Sequence, residues 1–233
     1  MAGGECPSGE GLLVVSGDAA GLGVRVAYCA YAGPLVSSLD PGLLDGEVEA
    51  LRELVASRYT LEALRGDPVV RAYRSFYWRI GIDPTKTRPS GEALVRRILR
   101  GRFPRINPIV DAGNIASAST LVPIGLYDLD KARPPLTLRL SRGGEEFHPI
   151  GGKPEALPRG VPVLVDSRGV VMHLYPHRDS VHTAVGPSTT RILAVAAGVP
   201  GVADGLLVGA LERLSGLLGR LGWRPCWPPR LAP

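Results

Sequence analysis

Lysine is almost absent from this 233-residue chain: arginine outnumbers it 24 to 3. We draw no functional conclusion from that bias, since base composition and heat adaptation both produce it. Cysteine is nearly as scarce. Cys6, Cys29 and Cys226 are odd in number, widely separated and form no C-x-x-C pair, so neither a disulfide framework nor a zinc site is indicated. Histidine occurs four times, as His148, His173, His177 and His182. None forms H-E-x-x-H, and the closeness of the last three is the only hint of a metal. Long apolar runs are missing too. The longest, Ile192 to Ala203, is interrupted by Gly198 and Pro200 and falls well short of the roughly 20 residues that span a bilayer. The opening MAGGECPSGE has no basic start and no apolar centre, so it does not read as a secretory signal, and a cytoplasmic location is the expectation.

What is present is a concentration of positive charge. From Arg65 to Arg105 there are 11 basic residues and only Asp67, Asp83 and Glu92 opposing them, a local +8 in a chain whose total is +5. The remainder is therefore mildly acidic, at −3. Crowding like charges costs self-repulsion that a polyanion relieves, which points to nucleic acid or phosphate; the alternative is a solvated arginine-rich helix face. Arg74, Arg79, Lys86, Arg88, Arg96, Arg97, Arg100 and Arg105 are the candidate nucleic-acid contacts.

The pattern of apolar residues predicts a mixed α/β fold. Runs at 11–16 and 23–32, separated by Gly17, Asp18 and Gly21, read as a pair of strands with a turn between them. Val48, Leu51, Leu54 and Val55 recur at helical spacing and predict a helix over 45–57. Asp67-Pro68 is a start signal for a helix to Ile80, in which arginines alternate with Tyr73, Phe76, Tyr77 and Trp78. Those aromatics either build core or stack on unpaired bases. After a cationic turn at 83–90, Leu94, Val95, Ile98 and Leu99 give the packed side of a helix over 91–100, leaving Arg96, Arg97 and Arg100 for the other side. A further helix is predicted over 108–120. Short β runs follow at 136–140, 146–150, 161–166, 170–174 and 191–197.

Leu207, Leu211, Leu214, Leu218 and Leu221 then make a narrow helical seam, suited to packing on the sheet or on a partner helix. The proline-rich tail 224–233 reads as an extended strap. We take 1–233 as one domain.

Three segments carry a family resemblance. They are Ser75-Phe76-Tyr77-Trp78-Arg79-Ile80-Gly81-Ile82-Asp83-Pro84-Thr85-Lys86-Thr87-Arg88-Pro89-Ser90, Arg105-Ile106-Asn107-Pro108-Ile109-Val110-Asp111-Ala112-Gly113-Asn114, and Pro123-Ile124-Gly125-Leu126-Tyr127-Asp128-Leu129-Asp130. With Arg139-Leu140, Glu146-Phe147, Pro149 to Gly152, Arg178-Asp179-Ser180 and Thr189-Thr190, their order and spacing resemble the B3/B4 module of the phenylalanyl-tRNA synthetase β chain, and most of all freestanding proteins built from it. The resemblance covers about residues 65–200.

It implies a mixed β-sheet flanked by helices, and a module that in the synthetase hydrolyses tRNA mischarged with tyrosine. No metal or organic cofactor is implied, because positioned groups orient a water and stabilise the oxyanion. Here the backbone amides of the 107–114 turn and of Gly151-Gly152 are candidates for that stabilisation. The implied partner is tRNA, through its acceptor end. The implied pocket comprises Asn107, Asp111, Asn114, Gly125, Asp128, Arg178, Asp179, Ser180, Thr183, Thr189 and Thr190, with Asp179, His177 and His182 as catalytic candidates. Two departures matter. Gly125 stands where the module's P-x-H-x-F-D motif has histidine, and Val195 stands where T-x-x-x-L-L-E has glutamate, so both polar groups that recognise a tyrosine hydroxyl are absent.

Each candidate also has an ordinary structural reading. Asp111 and Asn114 either face one cavity or brace their helix. Asp128 and Asp130 either serve a site or bond nearby turn amides. His177, Arg178, Asp179, Ser180 and His182 suggest a Ser/His/Asp set without the G-x-S-x-G elbow, or a substrate-positioning loop. The functional readings that remain are a trans-acting aminoacyl-tRNA deacylase, a non-catalytic module binding RNA or an amino-acid-like ligand, and a small-molecule enzyme that has lost RNA.

Overall fold

The computed structural model describes residues 5–232. Two five-stranded sheets carry the fold. The first is built from β1 (Leu13–Val15), β4 (Leu136–Leu140), β7 (Pro162–Val165), β8 (Val171–Leu174) and β9 (Arg178–Asp179), in that spatial order. The second runs β11 (Arg224–Pro225), β2 (Arg25–Ala32), β10 (Arg191–Gly198), β3 (Ile124–Asp128), with β12 (Arg230–Leu231) also on β2. A two-stranded ribbon joins β5 (Glu146–Phe147) to β6 (Glu155–Ala156).

Both N-terminal strands form, but they do not pair with each other. β1 lies parallel to β4, while β2 runs antiparallel to β10. Between them is not a bare turn but the short helix α1 (Gly17–Ala20). β2 and β10 read as uninterrupted apolar runs because almost every residue in both is buried.

The helices follow their sequence signals closely. Helix α2 (Asp45–Arg58) buries Val48, Leu51 and Val55. Helix α3 (Pro68–Arg79) starts where Asp67 accepts hydrogen bonds from the amides of Val69 and Val70, satisfying donors that a first turn leaves unpaired. Helix α4 (Ser90–Ile98) approaches the end of α5 (Pro108–Thr120) so closely that a Cβ at Gly91 would sit 2.4 Å from the Leu121 carbonyl oxygen; only glycine fits. Asn107 caps α5 by accepting from Val110 N–H at 3.0 Å.

Helix α6 (Asp204–Arg220) packs on β2, β10 and α5. Its leucine seam, Leu207, Leu211, Leu214 and Leu218, is fully buried with Leu217 and Ala210, so the seam is spent inside this chain and not on a partner helix. The tail is an extended strap as expected, completing the edge of β2 and burying Trp227.

The cysteine expectation is overturned. Cys6 and Cys226 are joined by a disulfide, with their Cα atoms 5.4 Å apart. Sequence separation of 220 residues concealed the pair; the strap's return to β2 is what brings the tail beside the N-terminal segment. Cys29 remains a buried thiol, its pKa pushed up to about 11 by burial. Among the described residues no helix is long and apolar enough to cross a membrane.

Candidate functional site

The cationic segment runs from the turn before α3 through α3, the following loop and α4 to the turn before α5, and the structure divides its charges into two populations. Four are committed. Arg74 and Arg96 both converge on Glu92, whose side chain is fully buried: Arg74 Nη2 lies 2.6 Å and Arg96 Nε 2.7 Å from Oε1. Arg96 is thus buried and not on the solvent side, because it reaches back one helical turn to the carboxylate at i−4. Arg105 pairs with Asp45 and Asp111, and Arg79 donates to the Leu22 carbonyl while lying over the Phe76 ring.

The other seven, Arg65, Arg71, Lys86, Arg88, Arg97, Arg100 and Arg102, are exposed and have no carboxylate within 4.0 Å among the described residues. Glu92, on α4, is the strut that fastens α4 to α3 through Arg74. Burial alone would raise its pKa, but the bonds from Arg74 and Arg96 outweigh that and lower it.

The aromatics of α3 divide as well. Tyr73, Phe76 and Tyr77 are core, whereas Trp78 is 59% exposed, on the same solvent stripe as Arg71, Ser75 and Arg79. Helical spacing had offered all four as one group; burial singles out Trp78.

Two of the pocket candidates share a hollow. Asn107 and Asp111 line a cavity of about 250 Å³ with Pro41, Gly42, Asp45, Arg105, Ile106 and Pro108. Gly125, Asp179 and Thr190 are not part of that lining. Asp111 is buried and braces the turn before α5, accepting from Ile106 N–H at 2.9 Å; burial raises its pKa despite Arg105. Asn114 is half-buried on the same helix. Asp128 accepts from Thr189 Oγ1 at 2.6 Å and from the Asp130 amide at 2.9 Å, and Asp130 itself pairs with Arg191. Thr189 is fully engaged, since its hydroxyl also accepts from Gly186 N–H. Thr190 offers its carbonyl to Gly33 N–H. Ser180, fully buried, accepts from His182 N–H at 3.2 Å.

The two departures from the synthetase motif fall opposite each other. Gly125 on β3 and Val195 on β10 are register partners, so a histidine and a glutamate at these positions would be cross-strand neighbours. That space is filled here by the Tyr127 phenol. A Cβ at Gly125 would lie 2.1 Å from its hydroxyl oxygen, because residues two apart on a strand share a face. Tyr127 is buried, and its hydroxyl donates to Asp179 Oδ1 at 3.1 Å. His173 Nδ1 bonds the same oxygen at 2.8 Å, which leaves Nε2 as the basic atom of the neutral ring. Burial and the Asp179 carboxylate push the Tyr127 pKa up, so it stays a donor. Tyr127 and His173 were not among the pocket candidates read from the sequence. The one signal was a histidine inside a strand whose residues are otherwise apolar.

Around this trio, Arg178 pairs with Glu155 at 2.6 Å and lies over Phe147, 5.5 Å from its ring centre. His177 is pushed by burial to a pKa of about 3 and its Nδ1 has no partner among the described residues, so it is neutral at ordinary pH and a weak base. Thr183 likewise buries an unpartnered hydroxyl. His148 and His182 face each other with ring centres 4.5 Å apart. Gly125→Ala is expected to cost roughly 1–3 kcal/mol in urea unfolding by displacing the phenol, and Tyr127→Phe in the same chain to recover part of it.

The two-sheet α/β fold with its helical cover is shared with a solved structure, an N-terminal fragment of the phenylalanyl-tRNA synthetase β subunit from Pyrococcus horikoshii. The two align with a TM-score of 0.50 and 17% identity, over 91% of this chain and 50% of that one, so this chain spans half the length of the fragment. No curated protein matches the chain. A family model for the B3/4 domain matches residues 72–204, more than half of the sequence. The protein belongs to the B3/4 domain family.

Proposed function

We propose that the protein binds tRNA, gripping phosphates with the seven uncompensated cations and stacking an unpaired base on Trp78. One observation carries this reading: buried Glu92 consumes Arg74 and Arg96, while seven cations of the same segment are left exposed, with Arg71 on the solvent stripe of the exposed Trp78 indole. Stacked bases and phosphate contacts use both.

Uncharged tRNA is expected to be retarded by the protein in a salt-dependent way. Replacing Arg97, Arg100 and Arg102 together reduces the slope of log K against log salt by about 3, at roughly one per lost phosphate contact. Trp78→Ala weakens binding by about 1–3 kcal/mol without changing that slope. Absence of any tRNA retardation at low salt overturns the reading.

A second, more specific reading is a deacylase acting in trans on the 3′ aminoacyl ester. What favours it is the His173–Asp179 pair, an imidazole whose tautomer a carboxylate fixes, inside the matched segment. Release of amino acid from at least one member of a broad panel of mischarged tRNAs, abolished in His173→Gln, is the expected result. No release across the panel leaves the protein a binding module.

A further inference from the structure

We infer that Asp179 is an anchor for a primary ammonium, the α-amino group of an aminoacyl ligand. This deepens the tRNA reading and rests on it for the identity of the carrier. The inference begins from an asymmetry in the carboxylate. Both internal donors, Tyr127 Oη at 3.1 Å and His173 Nδ1 at 2.8 Å, are spent on Oδ1. Oδ2 has no hydrogen-bond partner among the described residues, and the Asp179 side chain is 36% exposed. A carboxylate accepts about four hydrogen bonds, so half of this one is held and half is on offer.

The bracing is costly to build and serves orientation. Tyr127 and His173 are both buried, and the phenol fills the space that a Cβ at Gly125 would enter. Neighbouring cations do not compete for Oδ2: Arg178 is committed to Glu155 and to the Phe147 ring. A single available oxygen suits a point-like ammonium better than a guanidinium, whose fork asks for both oxygens. Two exposed aliphatic residues adjoin Asp179 along the backbone. Ile150, whose amide donates to the Asp179 carbonyl at 2.9 Å, is 58% exposed, and Val181 is 48% exposed. A charged oxygen beside an exposed aliphatic rim matches a group that carries an ammonium next to carbon, as an aminoacyl ester does. Asp179 is then the binding residue, and Tyr127 and His173 are positioning residues.

The test uses two probes. In the first, alaninamide and phenylalaninamide are titrated against the full chain, with the His173 imidazole followed by ¹⁵N NMR, and compared with their N-acetyl forms. The free amines bind at least tenfold more tightly than the acetylated ones. Asp179→Asn abolishes that preference, and Tyr127→Phe keeps it at reduced affinity, with thermal melts showing that both variants are folded. In the second, tRNA carrying amide-linked alanine or phenylalanine is compared with its N-acetyl derivative and with uncharged tRNA; acetylation returns affinity to the uncharged level. Free and acetylated probes agreeing within twofold, or Asp179→Asn retaining the preference, overturns the anchor. A free-amine preference without any binding of uncharged tRNA upholds the anchor and removes the tRNA reading instead.

Discussion

Glu92→Ala is expected to destabilise the protein by about 3–5 kcal/mol in urea unfolding. The carboxylate is fully buried and is the shared acceptor for two guanidinium groups, of which Arg96 is itself only 8% exposed along its side chain. Removing it leaves a buried cation uncompensated, which is the expensive way to break an ion pair. Replacing Glu92 and Arg96 together by methionine removes the buried cation, leaving only the more exposed Arg74 without its acceptor, and is expected to recover most of the loss. The functional consequence follows from the same geometry. Arg74 belongs to α3 and Glu92 to α4, so losing the carboxylate removes the ion pair that ties the two helices, which carry Arg71 and Arg97 and flank the loop of Lys86 and Arg88, and the proposed tRNA binding is expected to weaken with stability. A loss under 1 kcal/mol contradicts the strut.

The same group sets a pH dependence. Folding lowers the Glu92 pKa below its unfolded value of about 4.5, so the unfolded chain holds the proton more tightly. The stabilisation is therefore complete above that unfolded value and is lost as pH falls through the lower, folded one. Glu145 and Asp166 are shifted in the same direction, each through arginine and backbone bonds that outweigh burial. Glu92→Gln is expected to be less stable at neutral pH and to show a shallower acid limb than the parent.

Local signals were the legible part of the sequence. Asp67-Pro68 and Asn107-Pro108 announce helices because the cap and the proline act within one turn, and the leucine spacing of α6 announces its buried face. Pairings between distant segments were not legible. That β1 joins β4 while β2 joins β10 is decided by sheet packing and not by the turn between them. The site divides in the same way. Net charge located the cationic segment, but only burial separates Arg96, which Glu92 holds, from Arg97, its exposed neighbour. Gly125 and Val195 could be read as missing polar groups; that the Tyr127 phenol occupies their shared space depends on strand register.

Reduction of the Cys6–Cys226 disulfide is expected to lower stability by about 2–5 kcal/mol and the melting temperature by roughly 5–15 °C. The bond closes nearly the whole chain into a loop, and the entropy it removes from the unfolded ensemble grows with loop length. It also secures the strap. β11 and β12 are each two residues long and pair only with β2, too little to hold an edge alone. Behind them lie Trp227 and the Cys29 thiol, which donates to the Trp227 carbonyl at 3.0 Å. Freed from Cys6, the strap exchanges its amide hydrogens faster and Cys29 becomes accessible to alkylation, its raised pKa otherwise keeping it inert. Calorimetry of oxidised, reduced and Cys6→Ser protein, with alkylation of Cys29 read by mass spectrometry, checks both effects. The strap lies on the edge of β2, whereas Asp179 lies on β9 and the exposed cations on the 65–102 segment, so reduction at 25 °C should leave the proposed tRNA binding within about twofold, a difference of roughly 0.4 kcal/mol. A reduced protein that melts at the oxidised temperature, with Cys29 still protected, shows that the tail is held by packing alone.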